Sequence, residues 1–121
     1  MTDRELLEAA AKAAGKTIVG WNSQHGGAEV AVLADGSFWQ PLHENHVTDC
    51  MGDALRLVVE LRLQIEWPRT LGAGNENCAV APRGNGHLGD MEPIGSDPAE
   101  TLRRLINRAA AALIGDAGGV R

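Results

Sequence analysis

Residues 97–115 read DPAETLRRLINRAAAALIG, the strongest helix signal in the chain. Asp97 caps the first turn, Pro98 falls at N1 where its missing N–H costs nothing, and Glu100 completes the capping pattern at N3. Leu102, Leu105, Ile106, Ala109 and Leu113 recur at helical spacing along one face, and Gly115 supplies a stop. A second helix start lies at the other end of the chain. Thr2 and Glu5 form a capping box, Leu6, Leu7, Ala10, Ala13 and Ala14 repeat at the same period, and Gly15 closes a helix over residues 3–14.

Between these helices the period changes. Thr17–Trp21, Glu29–Leu33 and Ser37–Gln40 are short β-rich runs separated by turn formers at Gly26-Gly27 and Asp35-Gly36. The Asp-Gly pair predicts a tight hairpin with positive φ at both central residues. Pro41 ends the third run, and a polar loop follows through His43–Thr48. Asp49 or Asp53 caps a short middle helix whose apolar face is Ala54, Leu55, Val58, Val59 and Leu61, with Arg56, Glu60 and Arg62 opposite. Leu63–Trp67 alternates apolar and polar and stops at Pro68; a glycine-rich loop, Leu71–Asn77, leads to a strand at Cys78–Ala81, and Asp90–Ile94 can pair as an edge strand. The order α-β-β-β-α-β-β-(β)-α predicts an α+β fold. In it, a small antiparallel sheet of about five or six strands is packed by three helices. It forms a single domain over residues 1–115 with a flexible tail at 116–121.

Composition bounds the function. The 121 residues suit one soluble domain, with 44% hydrophobic and 22% charged residues excluding a disordered or fibrous chain. Phe38, Trp21, Trp39 and Trp67 are its only aromatics, so the core is aliphatic. Eleven basic against 16 acidic residues give a net charge of −5, which argues against sequence-independent nucleic-acid binding. No apolar run is long enough to span a membrane, and Asp3, Arg4, Glu5 and Glu8 stand where an export signal would be basic then apolar, so the expected location is the cytoplasm. Cys50 and Cys78 are then reduced, structural thiols.

Five groups of residues bear on chemistry. Gly84-Asn-Gly86-His-Leu-Gly89 matches the dinucleotide fingerprint in letters, but no helix signal opens at its third glycine, so it reads as a loop. His43, His46 and Cys50, with Cys78 or His87, could gather round zinc, yet no C-x-x-C pair supports that reading and no metal or cofactor is predicted. A Cys50 nucleophile served by His46 lacks a recognisable orienting group, so no catalytic residue is assigned. Trp21, Trp39 and Trp67 read either as packing groups or as a stacking platform for a purine ring. Arg103, Arg104, Asn107 and Arg108 form the polar face of the last helix. They are either a solvated face, with Glu100 paired to Arg104, or a set of guanidinium forks for phosphate that Arg83 could join.

The helix patterns at 2–15, 52–61 and 97–112, together with Phe38-Trp-Gln-Pro-Leu42, resemble small uncharacterised proteins of tailed phages and prophages, distantly the ninX group. The resemblance spans about four-fifths of the chain. The His43–Cys50 segment is longer than the compact acidic loop usual in that pattern. The resemblance implies an accessory protein acting inside the bacterial host, against its defences, by binding. The expectation is a non-enzymatic homo-oligomer that sequesters a small anionic ligand, such as a cyclic nucleotide immune signal. Arg104, Arg108, Arg103, Asn107, Trp39, Trp21 and Arg83 are its candidate ligand-binding residues. The alternative is a protein–protein inhibitor of a host defence complex, presenting an exposed strand edge or apolar patch.

Overall fold

A computed structural model describes residues 2–23, 28–45, 47–71, 75–82, 90–93 and 96–119. The first helix, α1 (Asp3–Ala13), begins at the expected capping box: Glu5 N donates to Thr2 Oγ1 at 3.1 Å, and Thr2 N donates to Glu5 Oε1 at 2.9 Å. Strands β1 (Ile18–Asn22), β2 (Val30–Leu33) and β3 (Phe38–Trp39) pair antiparallel in that order. The β2–β3 turn is wider than the two-residue form predicted. Only Gly36 has positive φ, at 88°, while Asp35 Oδ1 accepts from Ser37 N at 2.9 Å and so spares Asp35 the left-handed conformation. The Gly26-Gly27 turn lies outside the described residues.

Helix α2 (Cys50–Leu61) is capped by Asp49, whose Oδ1 accepts from Gly52 N at 3.0 Å. Arg62 ends it in a left-handed conformation, φ 54°, and turns the chain straight into β4 (Leu63–Leu71). That strand runs through Pro68 instead of stopping there. Pro68 sits in a register irregularity between Glu66 and Arg69, and β4 is an edge strand, so its missing N–H breaks no regular ladder. Strands β5 (Asn75–Pro82) and β6 (Asp90–Pro93) complete a second antiparallel sheet, ordered β4-β5-β6. The fold is α+β as expected, but among the described residues its strands form two three-stranded sheets, not one.

Helix α3 (Pro98–Gly119) starts on Asp97, whose Oδ1 accepts from Glu100 N at 3.1 Å, and continues past Gly115. Glycine favours a stop only when its left-handed conformation is adopted, and in mid-helix it costs about 1 kcal/mol. Residues 116–119, expected in a tail, therefore belong to this helix. The core gathers Leu7, Ala10 and Ala11 of α1, Ala31, Leu33 and Trp39 of the first sheet, and Ala54 and Leu57 of α2. Leu63 and Val80 of the second sheet join Leu105, Ile106, Ala109 and Ala110 of α3. Small residues on both α1 and α3 let these helices lie close, so α3 is buried by helix on one side and sheet on another. The α2 face is rotated from the expected one: Leu55 and Val59 are exposed, Val59 at 77%, and Asp53 is buried with Ala54 and Leu57. Among the described residues no helix is long and apolar enough to cross a membrane.

Candidate functional site

The site is organised by the four residues that follow β3. Gln40 is buried, and its Oε1 accepts from Leu42 N at 2.8 Å and His43 N at 3.1 Å. Its own backbone N–H donates to Asp53 Oδ2 at 3.0 Å, which is why Asp53 is tolerated inside. From the other side, Arg103 Nε donates to Leu42 O at 3.1 Å. Asn107 Nδ2 donates to Pro41 O at 3.0 Å and to Arg103 O at 2.8 Å. Four buried polar side chains, those of Gln40, Asp53, Arg103 and Asn107, thus fasten an irregular segment whose backbone groups would otherwise be orphaned.

This arrangement corrects two of the expected ligand-binding residues. Arg103 is 3% exposed and Asn107 is fully buried, so neither belongs to an open polar face. Helix α3 is packed on more sides than a single apolar stripe would require, and the irregular 40–43 backbone needs donors. Trp39 is corrected likewise: it is 3% exposed and lies in the core, where the only bulky aromatic of β3 facing inward fills space. Trp21 is partly buried and keeps access to a hollow. The side chains of Trp67 and Cys78, and residues Arg83, His46 and His87 with the glycine-rich 84–89 stretch, lie outside the described residues.

His43 emerges from the fastened segment and meets the first residue of α1, with Nε2 2.8 Å from Asp3 Oδ2. On one side of this pair lies a cleft of about 320 Å³, lined by Asp3, Leu6, Leu42, His43, Glu100, Arg104 and Arg108. Arg104 and Arg108, one turn apart on α3, converge there as the sequence predicts. Both hold the same carboxylate, that of Glu92 on β6. Arg104 Nη2 and Nε lie 2.7 Å and 3.1 Å from Oε1, and Arg108 Nη1 lies 2.6 Å from Oε2. The expected Glu100 partner is present too, 3.7 Å from Arg104 Nη1. The hydrogen bonds from Arg104, and then the charges of both arginines, hold the Glu92 carboxyl below its ordinary range against the opposing effect of burial.

On the other side of the His43–Asp3 pair is a hollow of about 250 Å³, lined by Asp3, Arg4, Leu7, Trp21, Ala28, Glu29, Gln40 and His43. Here the Arg4 guanidinium lies over the Trp21 ring, 5.1 Å from its centroid, and forks onto Glu29 through Nε at 2.8 Å and through Nη2. Sequence reading missed Asp3, Arg4, Glu29 and Glu92 as site residues and weighed His43 only as a metal ligand. Arg4 and Glu29 stand 25 positions apart with no pattern linking them, whereas Glu92 in a short edge strand before an arginine-bearing helix was a usable signal.

Cys50 is a buried thiol in the first turn of α2. Among the described residues no group of three or more His, Cys, Asp and Glu side chains is placed to hold a metal ion. Comparison with protein-family models, with curated proteins and with solved structures finds no match.

Proposed function

We propose that the protein is a non-enzymatic binding protein that captures a small ligand through an anionic group held by Arg104 and Arg108. The observation that carries this reading is the single carboxylate of Glu92 held by two guanidinium groups, those of Arg104 and Arg108, which also line a cleft of about 320 Å³. Two arginines on consecutive turns, aimed at one anion, are pre-organised for a phosphate, which guanidinium forks hold bidentately as they do a carboxylate and which has more oxygens to share between two forks. Glu92 then acts as the resident anion that a ligand displaces. The volume suits a compact metabolite or signalling molecule and not a long polymer.

The reading extends the phage resemblance: a host-cell nucleotide signal, sequestered in the cytoplasm, is the ligand such an accessory protein would remove. The test is capture. The purified chain is incubated with extract from bacteria whose nucleotide-based defences have been triggered, repurified and heat-denatured, and the supernatant is analysed by mass spectrometry. An intact phosphate-bearing molecule should be released by the natural chain and not by the Arg104→Ala/Arg108→Ala variant. Equal recovery from both chains, or none from either, overturns the assignment.

A further inference from the structure

The hollow beside the cleft shares two walls with it, Asp3 and His43, and contains a contact between the chain's own groups that resembles ligand recognition. A flat N–H fork, the Arg4 guanidinium, lies over Trp21 at 5.1 Å from the ring centroid and hydrogen-bonds both oxygens of the Glu29 carboxylate through Nε and Nη2. Resting on the proposed anion site, we infer that this hollow is a base subsite that takes guanine stacked on Trp21 and forked to Glu29, making the ligand a guanine nucleotide.

The chemistry selects the base. An ionised carboxylate only accepts hydrogen bonds, so it needs two adjacent donors on one edge of the ring. Guanine presents such a pair, its ring N–H beside its exocyclic amino group, in the same nitrogen–carbon–nitrogen arrangement that a guanidinium carries. Adenine presents one amino donor beside an unprotonated ring nitrogen, whose lone pair would face the Glu29 oxygens. A glutamate ionises well below neutral pH, so the acceptor is a carboxylate whether or not Arg4 stands beside it. The indole face supplies stacking that any base would gain, and Glu29 supplies the choice among bases.

Arg4 is the group that must leave. Its side chain is about half exposed, 52%, and the pair it forms with Glu29 is a surface pair, so swinging the guanidinium into water gives up little. The two sites thus follow one logic, each occupied by a side chain that imitates part of the ligand: Glu92 for the phosphate and Arg4 for the base.

Calorimetric titration of the full chain with guanosine monophosphate, inosine monophosphate, adenosine monophosphate, inorganic phosphate and free arginine tests this. Guanosine monophosphate should bind about tenfold or more tightly than adenosine monophosphate or phosphate, the scale of one forked base contact. Inosine monophosphate, lacking the exocyclic amino group, should fall between. Glu29→Gln should erase the preference for guanosine over inosine while leaving phosphate binding unchanged; Trp21→Leu, checked for an unaltered melting temperature, should bring guanosine monophosphate down to the affinity of phosphate. Guanosine and adenosine monophosphates bound no better than phosphate overturn the base subsite and leave the anion site standing. Equal affinity for guanosine and adenosine, or tighter binding of free arginine than of guanosine monophosphate, overturns the choice of guanine. No binding of any probe, phosphate included, overturns both sites.

Discussion

Two pairs of residues on α3 have nearly the same sequence character and opposite fates. Arg103 and Asn107 are buried and bind the backbone of residues 41 and 42, while their immediate neighbours Arg104 and Arg108 line a cleft and hold Glu92. One step along a helix turns a side chain by about 100°, which here separates the interior from the cleft. A polar helix stripe can therefore be half structural glue and half binding surface, and composition alone does not divide it.

The largest effect expected from this contrast is on stability at Arg103. Arg103→Ala removes a long buried side chain and orphans the Leu42 carbonyl, and should lower the unfolding free energy by about 3 kcal/mol, read from denaturant titration. Asn107→Ala should cost about 2 kcal/mol, somewhat less because its Oδ1 has no hydrogen-bond partner among the described residues and only its donor side is lost. By contrast Arg104→Ala and Arg108→Ala should each change stability by less than about 1 kcal/mol, since both lie in part-exposed ion pairs, while abolishing anion capture. A loss of stability at Arg104 equal to that at Arg103 would dissolve the distinction.

Glu92 sharpens the same comparison through pH. Its carboxyl titrates below the ordinary value in the folded state, so its stabilising contribution is complete above the unfolded pKa of about 4.3 and is lost as pH falls through the lower folded value. Glu92→Gln should flatten that part of the acid limb of the stability curve, by less than about 1 kcal/mol, and should tighten anion binding because the competing charge is gone. A further modest effect is expected at the start of α1, next to the cleft residue Asp3: Thr2→Ala breaks the capping box and should cost about 0.5–1 kcal/mol, read from the unfolding transition.

Local rules made much of this fold legible. The caps at Thr2, Asp49 and Asp97 start the three helices where the side chains satisfy the first amides, because capping depends only on residues three apart. The failures lie elsewhere. Pro68 does not end β4 because it sits at an irregularity in an edge strand, and Gly115 does not end α3. The first outcome depends on the pairing of β4 with β5, which local sequence does not reveal. The candidate site divides the same way: Arg104, Arg108 and Trp21 were legible from residue type and spacing. Trp39, Arg103 and Asn107 were misassigned because the packing that buries them involves α1 and the 40–43 segment. Glu29, just before β2, and Glu92, on β6, are brought alongside Arg4 and α3 only by the tertiary fold.

The most direct measurement is a nuclear magnetic resonance titration that follows the arginine Nε–H signals while inorganic phosphate is added. Saturable shifts of the Arg104 and Arg108 signals with one shared affinity, and an unmoved Arg103 signal, are the predicted result. No saturable shift at Arg104 and Arg108, or an equal response at Arg103, would contradict an anion site built on the open half of the α3 stripe.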